Sequence, residues 1–268
     1  MKFIAIITYI SLLVFTTNAF GFNYEKKLAD SHVIHILQID PDEYKAEIVK
    51  ANNGGIGRET VSSIATKSSA DIAINAGFFE IGGKKDGAPS GTLIIKDRTY
   101  KLKKNIQSLV IIKDGIILID RSTPEKYLHQ NNSLVSGIPM LINNSKIPEE
   151  LFNKKSEFYT QPHARTALGL NVDGKVIIVV AENHYVKDMN EFSSKTGAKG
   201  LTILELARLM QNLGCKYAIN LDGGGSSALW IKEKKIVNNI LGDEDEYIGE
   251  KLERSVSDAI IFRLRGKR

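Results

Sequence analysis

The chain carries one cysteine, Cys215, so no internal disulfide can staple it and its stability must come from a packed core. Six prolines and no low-complexity tract leave nothing that reads as a linker between domains. No glycine-rich loop ends in Lys-Ser or Lys-Thr. The glycine triplet at 223–225 runs into apolar residues rather than a helix, so neither a P-loop nor a dinucleotide fingerprint fits. The five histidines, His32, His35, His129, His163 and His184, are dispersed, and no closely spaced His/Cys/Asp set suggests zinc. The net charge of +5 is spread along the chain without a basic stripe and interleaved aromatics, which argues against a nucleic-acid partner.

What is present begins with a leader. Lys2 supplies a positive start, residues 3–15 form an apolar run too short for an ordinary membrane span, and Thr17-Asn18-Ala19 offers small residues for cleavage after Ala19. The expectation is a signal peptide at 1–19, with an uncleaved anchor as the alternative. The remainder would then be exported, periplasmic or secreted, without stable membrane insertion. About 250 residues suit one large domain, 20–268, better than two.

Along that domain, residues 32–40 alternate as a strand should, 60–68 read as a short helix, and 71–75 as a buried strand. Residues 109–112 and 116–119, joined through Asp114-Gly115, form a hairpin pattern, and the device returns in 165–181 around Asp173-Gly174. The clearest helix spans 202–213. Thr202 with Glu205 makes a capping box, Leu201 and Leu206 a hydrophobic staple, and Gly214 a stop. Strands are expected at 217–221, 228–231 and 256–264, whereas 121–160 is mixed and polar with one strand candidate at 138–142. The fold class expected is α+β: a single domain around one mixed, largely antiparallel sheet covered by a few helices.

The most informative stretch is Asn220-Leu221-Asp222-Gly223-Gly224-Gly225-Ser226-Ser227. Three glycines weaken any regular element, so their use is positive φ or close approach of another molecule, and successive N–H groups can cradle an anion. A tight Asx turn is the plain alternative. Three further polar groups stand at strand ends. Asn75 and Glu80 flank two aromatics, Arg165 opens a strand, and Glu182-Asn183-His184 follows another. An Arg at a strand start can grip an anionic oxygen bidentately, although a surface ion pair explains it nearly as well. Arg254, in Glu253-Arg254-Ser255, reads by default as part of a charged loop, and His163 lies beside the Arg165 cluster.

Taken in order, Asn-Ala-Gly-Phe-Phe at 75–79, Arg-Thr-Ala-Leu-Gly at 165–169, Gly-Leu-Thr-Ile-Leu-Glu-Leu-Ala at 200–207, the 220–227 block and Glu-Arg-Ser-Val-Ser-Asp-Ala at 253–259 resemble the phosphodiester glycosidase family. The resemblance covers about residues 65–264. Glu182 departs from the Asp-Gly pair expected after that strand. What the resemblance implies is hydrolysis of a sugar-1-phosphodiester at the anomeric carbon. A phosphate monoester leaves readily, so the site needs positive charge on the departing oxygens and one carboxylate at the oxocarbenium-like centre, with no metal or cofactor in principle.

On that reading Asp222 is the nucleophile or base, and Arg165 with the N–H groups of Gly224 and Gly225 stabilises the leaving phosphate. Asn75 and Ser226 orient hydroxyls or phosphate, Glu80 is the partner carboxylate, and Arg254 adds a second positive contact. Gly223, Ser227, Asn220, His163 and Glu182 complete the expected substrate surface. Substrate-assisted attack by a 2-acetamido group stays open, as do a non-catalytic envelope-glycan binding domain and a phosphodiesterase that cleaves P–O.

Overall fold

A computed structural model describes residues 21–29, 31–96, 98–128, 130–183, 198–240, 243–244 and 251–266. The expected leader, His129 and His184 lie outside the described residues. Every strand pairing among the described residues is antiparallel, and the sheet area is divided among three larger sheets and one two-stranded ribbon rather than forming one sheet. A six-stranded sheet runs Phe22–Ala29, His32–Ile39, Val176–Ala181, Arg165–Asn171, Cys215–Asn220, Met140–Asn143. A five-stranded sheet runs Lys235–Ile236, Leu229–Ile231, Ile72–Asn75, Asp258–Leu264, Tyr44–Lys50. The third holds the hairpin Gln107–Lys113 and Ile116–Ser122 beside Ser133–Gly137, Leu93–Ile95 and Arg98–Lys101.

The inward faces of the three sheets share one core, to which Leu37, Ile48, Ile74, Val110, Leu168, Ile219 and Phe262 all contribute. Helix Ile203–Asn212 covers the outer face of the six-stranded sheet, burying Ile203, Leu206, Ala207 and Met210 against Ala167, Val179 and Cys215. Its capping box is formed as the sequence predicts. Thr202 Oγ1 accepts from the Glu205 N–H (3.2 Å), and Glu205 Oε2 accepts from the Thr202 N–H (2.8 Å). Such a cap is worth about 1 kcal/mol. Helix Val61–Lys67, capped by Thr60, does the same for the second sheet. Cys215 is buried beneath the first helix, and burial pushes its thiol up to about 12, so it packs as a small apolar residue.

Strands that the sequence reading did not assign include Phe22–Ala29, Tyr44–Lys50, Leu93–Ile95, Arg98–Lys101 and Ser133–Gly137. The strand expected at 138–142 begins instead at Met140, after a cis Ile138–Pro139 bond. Antiparallel register brings one set of strand ends to a common edge. Ala167 pairs with Asn220, Arg165 with Ala181, Ala259 with Asn75, and Leu229 with Ile74. The ends of Ile72–Asn75, Val176–Ala181 and Cys215–Asn220 therefore meet the beginnings of Arg165–Asn171, Leu229–Ile231 and Asp258–Leu264 there.

Candidate active site

Asp222 sits at this edge, one residue beyond Leu221, whose N–H donates to Thr166 O (2.9 Å). Its own N–H donates to Ala76 O (2.9 Å), and its carbonyl accepts from Asn75 Nδ2 (2.7 Å). Asn75 is wholly buried. Its Oδ1 accepts from Thr166 Oγ1 (2.8 Å) and from the Ala228 N–H (3.1 Å), so one amide ties the six-stranded sheet to the second sheet. Asn75 is expected to orient substrate; in the structure its Oδ1 and one Nδ2 hydrogen are bonded to the scaffold that fixes Asp222.

The glycines shape the chain just after Asp222. Gly224 has φ of +60°, which a side chain rarely adopts. A Cβ on Gly223 would lie 2.6 Å from Ala164 O, and one on Gly225 would lie 2.3 Å from Arg254 Cζ. The Gly223 N–H turns back to Asp222 Oδ1 (2.9 Å), and the Gly224 N–H is bonded to Ala164 O (2.8 Å). The cradle expected from Gly224 and Gly225 together is therefore reduced. Of the three glycines, only Gly225 leaves its N–H without a hydrogen bond among the described residues. Two buried oxygens of the same block are also unpartnered among those residues, Ser227 Oγ and Asn220 Oδ1. Asn220 Nδ2 is bonded to Ile138 O (2.6 Å).

Burial pushes the Asp222 carboxyl up to about 6. Ser226, the Gly223 N–H and Arg254 act in the opposite direction, and the nearby charge of Asp258 adds to the rise. Asp258 is itself buried at the start of its strand. Its Oδ1 accepts from the Gly77 N–H (2.7 Å), while Oδ2 has no hydrogen bond among the described residues. Burial raises it, opposed by that N–H and by Lys50. Lys50, also buried, donates to Gly57 O (3.1 Å) and is lowered by burial.

The second carboxylate acting on Asp222 is thus Asp258, which sequence reading missed. Its position inside a strand of apolar residues, Asp-Ala-Ile-Ile-Phe, was the available signal. Glu80, the expected partner, is solvent-exposed on a loop where its backbone pairs with Gly87 and Ala88, and among the described residues no hydrogen bond joins it to Asp222. The physical reason is that Phe79 pairs with Pro89, which turns the chain outward after Gly77.

Arg165 also departs from expectation. It is 2% exposed, and its Nε donates to Leu201 O (2.9 Å) while Nη2 donates to Phe158 O (2.6 Å) and Gln161 O (3.3 Å). The guanidinium lies over the Phe158 ring, 5.0 Å from its centre, and burial lowers it to about 10. It is a clamp on three backbone carbonyls. The cation that acts on Asp222 is Arg254, held by a loop whose neighbours are fixed from outside. Glu253 accepts from the Ser62 N–H (3.0 Å) and Oγ (2.5 Å), and Arg58 Nη1 donates to Ser255 O (3.3 Å).

Glu182 does not open onto the edge as substrate surface. It is buried, and its Oε1 lies 2.6 Å from His35 Nε2 and accepts from the Asn239 N–H (2.7 Å). His35 Nδ1 in turn lies 2.7 Å from the Tyr24 hydroxyl. Since a carboxylate only accepts, Nε2 carries the proton. Burial, then the charge of Glu182, pushes Tyr24 up to about 12. This buried chain anchors the outer strands of the six-stranded sheet. His163 stands one residue before Ala164, paired through its backbone with Leu201, and is lowered by burial and then by Arg165. Among the described residues no three His, Cys, Asp or Glu side chains gather as a metal cluster.

Known proteins share this fold. Residues 68–263 match the model of the phosphodiester glycosidase family. The chain is 26% identical over 224 residues to the N-acetylglucosamine-1-phosphodiester alpha-N-acetylglucosaminidase of Mus musculus, an alignment covering 76% of this chain and 40% of that protein. It is 27% identical over 218 residues to an SPbeta prophage-derived uncharacterized protein of Bacillus subtilis, covering 77% of this chain and 30% of that one. The chain thus spans less than half the length of these relatives. The catalytic domain of the zebrafish N-acetylglucosamine-1-phosphodiester alpha-N-acetylglucosaminidase superposes with a TM-score of 0.69 at 21% identity, covering 91% of this chain and 82% of that one, which establishes the shared fold. With its family model matched over residues 68–263, most of the chain and the whole Asp222 edge, this chain belongs to the phosphodiester glycosidase family.

Proposed function

We propose that the protein hydrolyses a sugar-1-phosphodiester at its anomeric C–O bond, with Asp222 as the carboxylate at the reacting carbon. The observation that carries this reading is Asp222 itself, a part-exposed carboxyl raised to about 6 with Arg254 and the free Gly225 N–H beside it. A carboxylate with a pKa near neutrality suits a general base: it is ionised at working pH yet binds a proton readily. Asp222 takes a proton from water as the water oxygen bonds to the anomeric carbon. The C–O bond breaks with its electron pair passing to the phosphate monoester. Negative charge grows on the departing oxygens, where Arg254 and the Gly225 N–H supply positive potential. Asp258 is too deeply buried to touch substrate, and its part is to raise Asp222.

The substrate belongs to a glycan or cell-envelope phosphodiester, and the protein acts after export. The N-terminal charge, apolar run and small residues before Phe20 support that location.

Turnover of a defined sugar-1-phosphodiester in 18O-labelled water tests the reaction. Label in the released sugar, abolished in Asp222→Ala with folding intact, is the expected result. Label in the phosphate would mean P–O cleavage, and tight binding without turnover would mean a glycan-binding domain.

A further inference from the structure

A cavity of about 490 Å³ opens next to the Asp222 edge, between the third sheet and the segment that carries Glu150, Leu151, Lys154 and Tyr159. It adjoins the site through two contacts. Its wall includes Ile138, whose carbonyl accepts from Asn220, and Gly137, where a Cβ would lie 2.4 Å from Asn220 O. Phe78, three residues beyond Asn75, forms another wall and packs edge-on to Phe158 at 6.2 Å, the ring under the Arg165 guanidinium.

The lining is chemically uneven. Three cations, Lys103, Arg121 and Lys154, share it with one carboxylate, Glu150. Glu150 is ion-paired with Arg121, and no ion pair engages Lys103 or Lys154 among the described residues. Lys154 lies over the Tyr159 ring at 5.6 Å. Asn105 and Ser108 add hydrogen-bonding groups, and the rings of Phe78 and Tyr159 provide faces for the apolar side of a pyranose. A cleft with three cations against one carboxylate, with amides, hydroxyls and aromatic faces, matches an acidic saccharide. A neutral alcohol would leave the charge unused, and a lipid tail would desolvate it.

We infer that this cavity binds the part of the substrate beyond the reacting sugar, and that this part is a saccharide bearing its own negative charges. The inference rests on the proposed phosphodiester hydrolysis. Its test compares two diesters of one sugar-1-phosphate, one carrying a uronate oligosaccharide and one a neutral oligosaccharide of equal length, with wild type and the Lys103→Glu/Lys154→Glu variant.

Wild type should show kcat/KM at least tenfold higher for the uronate diester, mainly through KM, and the double variant should lower that ratio at least tenfold. A wild-type ratio near one, or a ratio unchanged in the variant, would overturn the inference. If wild type cleaves neither diester, the hydrolytic reading fails and binding decides this one. Titration calorimetry with oligogalacturonate should then give heat that the double variant loses and that maltohexaose does not produce. Absence of oligogalacturonate binding to wild type would overturn it.

Discussion

Gly225 and Arg254 occupy one another's space: the position a Cβ would take on Gly225 is 2.3 Å from Arg254 Cζ. The missing side chain is what lets the guanidinium reach the carboxylate edge, since Arg254 lowers Asp222 against the pull of burial. Gly225→Ala should therefore displace the arginine while leaving the sheets intact. We expect kcat/KM to fall on the order of 10–100-fold, the scale of losing one stabilising charge contact, with the acid limb of the pH profile moving upward. Thermal melting with rate measurements across pH checks this, and an unchanged rate would refute the role given to Arg254.

The Asp222 carboxyl itself should set the acid limb. As a base it must be ionised, so kcat/KM should rise with pH through about 6 and level off above it. Asp258→Asn keeps an acceptor for the Gly77 N–H but removes the neighbouring negative charge, so that limb should shift to lower pH. A limb that stays in place in this variant would show that Asp258 does not act through Asp222.

Stability should move oppositely to activity at Asp222. Its folded value, about 6, lies above the ordinary 3.8, so the native state binds more protons than the unfolded chain between those values. The stability from Asp222 is thus present in acid, declines as pH rises from about 4 to about 6, and stays low above that. Asp222→Asn should remove this decline and gain on the order of 2 kcal/mol near pH 7.5, while abolishing turnover. Chemical denaturation at pH 4 and pH 7.5 for both proteins is the measurement.

Arg165 should behave as a structural residue. Removing its guanidinium in Arg165→Met leaves the carbonyls of Leu201, Phe158 and Gln161 without that donor, a loss on the order of 3 kcal/mol. Arg165→Lys should rescue little, because an ammonium cannot reproduce the planar fork. Normal stability with selective loss of turnover in Arg165→Lys would return this arginine to the chemistry.

Much of the architecture was legible in the residue order. The Thr202–Glu205 box, the Asp114-Gly115 and Asp173-Gly174 turns and the 72–75 strand act through local rules, and each stands where periodicity and turn chemistry put it. Strands such as Phe22–Ala29, with Glu25, Lys26 and Lys27 in succession, carry no clean alternation, because pairing with His32–Ile39 holds them in place. Residue order alone specifies a largely antiparallel α+β chain and marks Asp222 with its glycines as the place to look.

Which cation serves that carboxylate depends on the folded chain. Two arginines begin near the same edge, and a side chain's direction depends on partners far away in sequence. Carbonyls near residues 158, 161 and 201 capture Arg165, while the gap at Gly225 admits Arg254. The same holds for Asp258, whose charge acts on Asp222 because the fold buries it near that carboxylate, bonded to the Gly77 N–H, a proximity no linear spacing encodes.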